Sequence, residues 1–153
     1  MHALARSAFI KTVLPVLLTI GTMAAADFAG TWKFNPAKSQ YRRDLSEEML
    51  TIKQTGPDTY TSSVDFVTKS GEKRHQEIVR ICDGKEHPSP RSGAAKGAVL
   101  ICQLGPGATR KFVETDNGKV VYEVTSTLSD DGKVMTTVWK DSNGEDVLVF
   151  DRQ

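Results

Sequence analysis

Lys119-Val-Val-Tyr-Glu-Val-Thr-Ser-Thr-Leu-Ser-Asp-Asp-Gly-Lys-Val-Met-Thr-Thr-Val-Trp-Lys-Asp-Ser-Asn-Gly-Glu-Asp-Val-Leu-Val-Phe150 is the stretch on which the fold turns. Three runs rich in β-branched and aromatic residues, about 119–128, 133–141 and 145–152, are divided by Asp130-Asp-Gly132 and Ser142-Asn-Gly144. Glycine beside Asn or Asp supplies the positive φ that tight hairpins need. One parity gathers Val120, Tyr122, Val124 and Leu128, then Val134 and Val138, then Leu148 and Phe150. The other gathers Glu123, Thr125, Thr127, Met135, Thr137 and Trp139. Period-two alternation with one apolar face is the mark of a half-buried antiparallel sheet. This joining of faces assumes three-residue turns with glycine bulges at Gly132 and Gly144. A two-residue turn at Asn143-Gly144 would slip the last strand and place Trp139 with Leu148 and Phe150. The first register is preferred because it unites the apolar sets.

The same rhythm extends toward the N-terminus. Thr55-Gly-Pro-Asp58, Ser70-Gly-Glu72, Asp83-Gly-Lys85 and Asp116-Asn-Gly118 read as turns. The runs between them fall at about 29–35, 48–54, 59–68, 73–82, 97–104 and 108–115. Turns at this spacing predict an all-β, antiparallel up-and-down meander. A meander this long removes its unpaired edges by curling into a barrel of about 8–9 strands. Residues 35–45 and the Pro- and Gly-broken stretch 87–97 are expected to be irregular.

The first 26 residues carry Arg6 and Lys11 but no acid, then the apolar run Val13–Ile20, then Ala24 and Ala26 at positions −3 and −1 of a cleavage site. This is the pattern of a cleavable secretory signal peptide over 1–26. The apolar run is too short for a membrane span and contains Pro15. The working domain is therefore expected to be residues 27–153, a single exported unit, periplasmic or secreted. Losing Arg6 and Lys11 leaves 18 basic against 19 acidic residues, a balance with no footprint for nucleic acid. An exported chain with two cysteines usually pairs them, so Cys82 and Cys102 are expected to form a disulfide. That pairing sets 73–82 and 97–104 side by side as neighbouring strands.

Gly30-Thr31-Trp32, preceded by Phe28, resembles the Gly-x-Trp signature of lipocalins and fatty-acid-binding proteins, and Phe150-Asp-Arg152 supplies the basic residue that those barrels place across the Trp. The stretch Gly30–Ser39 and the closing Val147–Gln153 are similar to small secreted bacterial lipocalin-like (calycin-type) proteins of unassigned function. The resemblance implies a nearly closed antiparallel barrel with an interior cavity. It implies structural roles for Gly30, Trp32 and Arg152, with the Arg152 cation over the Trp32 ring closing the base at about 0.5–2 kcal/mol. The 36–47 connection is too short for a two-helix lid, and no long amphipathic helix precedes the last strand.

No metal-binding, phosphate-binding or nucleophile-elbow motif occurs, and no cofactor or metal is expected. His75 lies in the polar stretch Lys73-Arg-His-Gln-Glu77 and reads as a surface residue, as does His87 before Pro88. Arg42-Arg43 and Lys73-Arg74 read as solvated pairs. Glu47 and Glu48 are neighbours on one strand and point to opposite faces. The expected function is non-enzymatic carriage, by a monomer, of a small apolar or amphipathic ligand. Its candidate lining residues are Phe66, Phe112, Tyr122, Val138 and Phe150. The alternative is a filled barrel acting in protein interaction or envelope stress; a third reading makes Tyr122 or His87 a hidden acid or base. If the leader reading is right, intact-mass analysis of exported protein finds the mature N-terminus at or within a few residues of Asp27; a retained 1–20 overturns it.

Overall fold

Glycine-bearing turns cut the β-forming runs into ten strands, which the computed structural model describes for residues 27–153; the leader expected over 1–26 lies outside the described residues. The strands are β1 Gly30–Phe34, β2 Glu47–Gln54, β3 Thr59–Val67, β4 Lys73–Ile81, β5 Asp83–Pro88, β6 Val99–Gly105, β7 Thr109–Asp116, β8 Lys119–Leu128, β9 Val134–Asp141 and β10 Gly144–Arg152. They form one antiparallel sheet in the order β4-β3-β2-β1-β10-β9-β8-β7-β6-β5. The two edges are β4 and β5, which follow one another in the chain with Cys82 alone between them. The sheet curls until these edges face each other, giving a nearly closed barrel with an unladdered seam.

The strand count is ten, against the expected 8–9. The added strand is β5, where a turn at Asp83-Gly-Lys85 and a loop from His87 were expected. Gly84 does adopt a positive φ of 77°. It uses that freedom for a bulge inside a strand, where the β5–β6 register shifts between Asp83 and Glu86. β4 therefore pairs with β3, not with β6. The Cys82–Cys102 disulfide forms as expected, with Cα atoms 4.2 Å apart, but it ties the β4–β5 junction to β6 instead of bridging a hairpin.

The register of the last three strands also differs from the preferred one. Val124 faces Trp139 across β8–β9, and Leu148 faces Thr137 across β9–β10. Gly144 pairs with Asp141, so the final turn has two residues. Met135, Thr137 and Trp139 thus share the inner face with Tyr122, Val124, Leu148 and Phe150. Val134 and Val138 turn outward. Met135 and Trp139 are larger than the valines, so burying them removes more apolar area from water. Thr137 finds Ser126 at 2.9 Å in the interior, which satisfies both hydroxyls.

One end of the barrel is sealed where the first and last strands meet. Trp32 pairs with Arg152 across β1–β10 and is completely buried. The Arg152 guanidinium carbon lies 4.2 Å from the indole centroid. Its nitrogens donate to the carbonyls of Gly132 (2.7 Å), Ala29 and Asp27 (2.8 Å each). The indole N–H donates to the Phe28 carbonyl at 3.1 Å. Gly30 makes room for this: it has a φ of 138°, and a Cβ there would lie 2.7 Å from Arg152 Nη1. At the opposite end, the 35–46 connection holds only a 3-10 turn, Pro36–Lys38, capped by Asn35. It docks on β10 through paired backbone hydrogen bonds between Gln40 and Val147.

Trp32→Ala should cost about 3–5 kcal/mol, the range for truncating a fully buried large aromatic. Urea unfolding measures it; a shift no larger than that of an exposed-residue control contradicts the sealed base.

Candidate functional site

Side chains on the inner faces of β2–β4 and β7–β10 leave a cavity of about 310 Å³ inside the barrel. Its walls are apolar over much of their area, with Leu50, Val64, Phe66, Ile78, Phe112, Val124, Met135, Leu148 and Phe150. Polar groups enter at two levels.

Toward the open end, a column of rings and cations lines the mouth. Tyr122 and Trp139 stack with centroids 4.4 Å apart and planes 18° from parallel. Arg43 from the 35–46 connection lies 3.9 Å from the Trp139 centroid. Arg91 from the 89–98 loop approaches Tyr122 at 5.9 Å. Each arginine is held by a buried carboxylate. Asp146 accepts from Arg43 Nε (3.0 Å), Arg42 Nε (3.1 Å) and the Arg42 backbone N–H (2.9 Å). Glu114, wholly buried, accepts from Arg91 Nη2 (2.6 Å) and Ser89 Oγ (2.6 Å). Burial alone would raise both acids. The hydrogen bonds and charges of these arginines overcome it and hold both below the usual carboxylate range. Burial, then the neighbouring Glu114 charge, pushes the Tyr122 phenol up to about 12.

Deeper in the lumen stand Arg80 on β4 and Arg110 on β7. Their guanidinium carbons lie 4.8 and 4.9 Å from the Phe112 centroid. Arg110 also lies 4.7 Å from the Phe28 ring. Arg80 Nη1 reaches Ser62 Oγ at 3.4 Å, and the Nε atoms of both arginines are buried without a hydrogen-bond partner. Burial, then repulsion from Arg80, brings Arg110 down to about 9, so it stays charged at neutral pH.

Glu48 on β2 faces the lumen and its strand neighbour Glu47 is exposed, as their adjacency requires. Enclosure by the wall pushes the Glu48 carboxyl up to about 7, against a smaller lowering by Arg43. A further recess of about 690 Å³ lies at the same end of β1–β4. It shares Glu48 and Phe66 with the lumen and is further lined by Phe34, Met49 and Val67, with charges of both signs beside them, among them Lys33, Asp65 and Lys73.

Of the residues nominated from sequence, the lumen brings together Phe66, Phe112, Tyr122 and Phe150. Val138 is not with them: it pairs with Thr125 on the outer face. Gly30, Trp32 and Arg152 form the sealed base. His75 is exposed and bonded to Asp65 (2.7 Å), and His87 lies against Asp83 (2.9 Å), away from the cavity. Arg42 is exposed and Arg43 half-buried, and both are also ion-paired to Asp146. Among the described residues no group of three His, Cys, Asp or Glu is placed to hold a metal. Sequence reading missed Arg80, Arg110, Glu114 and Trp139. Arg110-Lys-Phe-Val-Glu114 did carry a signal: Arg110 and Glu114 share the parity of Phe112, already nominated as lumenal.

No protein-family model matches the chain, and no curated protein matches it in sequence. Solved structures match it in fold. Wild-type fluorescent protein UnaG is 18% identical with a TM-score of 0.62, over 82% of this chain and 97% of that one. Fatty-acid-binding protein 1 of Echinococcus granulosus is 16% identical (TM-score 0.58), over 82% and 96%. The REP1-NXSQ fatty acid transporter is 14% identical (TM-score 0.63), over 84% and 98%. At these identities the likeness shows the fold alone: a nearly closed, ten-stranded antiparallel barrel shared with these fatty-acid-binding and fluorescent proteins.

Glu48 yields a pH test. A carboxyl raised in the folded state opposes folding once it must ionise, so stability falls as pH climbs from about 4.5 to about 7 and is level above. Glu48→Gln removes that penalty. The variant should exceed the parent by about 1–3 kcal/mol at pH 8 and match it near pH 4.5. Urea midpoints at the two pH values check this; a pH-independent gap contradicts it.

Proposed function

We propose that this chain is an exported lipocalin-like barrel that carries one small apolar or amphipathic molecule in its lumen and works as a monomer. The observation that carries the reading is the interior cavity of about 310 Å³. Ligand pockets span about 300–1,000 Å³ and are walled mostly by apolar and aromatic side chains with a few placed polar groups. The lumen has that composition. A filled barrel, the alternative reading, would have closed this space with side chains. Support of a weaker kind comes from the fold neighbours, one a fatty-acid-binding protein and another a fatty acid transporter.

The neutral fluorescent probe N-phenyl-1-naphthylamine tests the reading. The native protein should bind it saturably, with stoichiometry near one. Tyr122→Ala takes a ring out of the lumenal wall and should change the affinity several-fold. Thr125→Ala, on the outer face, should leave it as it is. Absence of saturable binding in the native state favours the filled-barrel interaction domain.

A further inference from the structure

The carboxylates around the mouth of the lumen are partnered within the fold, with one exception. Asp146 holds Arg43, and Glu114 holds Arg91. Glu48 holds nothing. It belongs to the inner-facing set of β2 with Leu50 and Ile52, stands near the mouth end of that strand, and lines the cavity. Among the described residues its carboxyl accepts no hydrogen bond and enters no ion pair; Arg43 acts on it only through space. The charged groups near it have partners of their own. The 35–46 connection brings Arg43, held by Asp146, and Asp44, which accepts from the Lys69 backbone N–H at 2.8 Å. β4 brings Arg74, in the same row of the sheet through Phe66 and bonded to Glu72 at 2.8 Å. β1 and β3 bring the rings of Phe34 and Phe66. An enclosed carboxylate without a donor or a cation is costly to the fold. Standing in a cavity wall, it marks a place where a ligand can recover that cost.

Resting on the lumenal reading above, we propose that the ligand is an amphipathic amine, with its ammonium group against Glu48 at the mouth and its apolar body in the lumen. An ammonium supplies both the missing charge and the missing hydrogen-bond donors. Phe66 faces Glu48 across β2–β3, which sets an aromatic side chain beside the same position, a favourable neighbour for a cation. The rest of the lumen fixes the direction of the molecule. Arg80 and Arg110 lie deeper in the cavity and repel a second cation, so the ammonium stays at the mouth. The body then packs among Leu50, Val64 and the Tyr122–Trp139 stack, which offer apolar and ring surfaces.

The test is a matched pair, 2-(2-naphthyl)ethylamine and 2-(2-naphthyl)ethanol, titrated calorimetrically into the native protein at pH 8. Burial raises the Glu48 carboxyl to about 7, so at this pH it is mostly ionised. The two compounds have nearly the same shape and differ in charge. The amine should bind roughly ten- to hundredfold more tightly, the range for hydrogen bonds to a charged group. Glu48→Gln should erase most of that preference. Equal affinities, or a tighter alcohol, overturn the amine site and leave the lumenal reading standing. A preference that survives Glu48→Gln also overturns it, since the ammonium then sits elsewhere. Failure of both compounds to bind saturably overturns the amine site and the lumenal reading together. The comparison of the pair on the unmodified chain decides the matter even if the variant does not fold.

Discussion

The cation of Arg152 lying on the ring of Trp32 is the contact on which the rest of the barrel depends. It joins the last strand to the first, and those two strands stand fourth and fifth in the sheet order. β1 is short, and only Trp32, Lys33 and Phe34 pair with β10. The ladder at this join is therefore thin, and the guanidinium strengthens it by collecting carbonyls from Asp27 and Ala29 ahead of β1 and from Gly132 in the β8–β9 turn. With the base sealed this way, the lumen opens above it. Gly30 belongs to the same device, since any side chain there would strike Arg152.

The seam between β4 and β5 is the complementary feature. Each strand is hydrogen-bonded to the next around the barrel except at this pair of consecutive strands. The disulfide secures the seam at one end by tying Cys82 to β6, and Cys82 N–H donates to the Asp58 carbonyl. Arg80 projects inward two residues before this staple. The interior charges are thus distributed unevenly: those at the mouth are neutralised by buried carboxylates, and those in depth are not. This polarity gives the lumen a direction, with an electropositive floor under an aromatic mouth.

Much of the architecture was legible in the sequence. The glycine turns marked the hairpins, and Gly30-Thr-Trp32 with Arg152 announced the sealed base. β5 was hidden because Asp83-Gly-Lys-Glu-His-Pro88 has no apolar stripe and is largely exposed, so its glycine reads as a turn. The register of β9 misled because counting apolar residues favours Val134 and Val138, whereas packing favours the larger Met135 and Trp139. Four of the five lining candidates are lumenal for a simple reason: aromatic residues on a strand seek the inside. The arginines escaped notice because a charged residue in a strand reads as solvent-facing. Only following parity from Phe112 through β7 would have turned Arg110 and Glu114 inward.

Locating a bound molecule directly is the sharpest test of the account that the lumen is the binding site. A crystal of the native protein grown with the neutral apolar probe 2-bromonaphthalene would give the position of the bromine from its anomalous scattering. The account predicts one strong peak inside the barrel, against the rings of Phe66, Phe112, Tyr122 or Phe150. A peak confined to the outer recess of β1–β4, above an ordered and empty lumen, would contradict it.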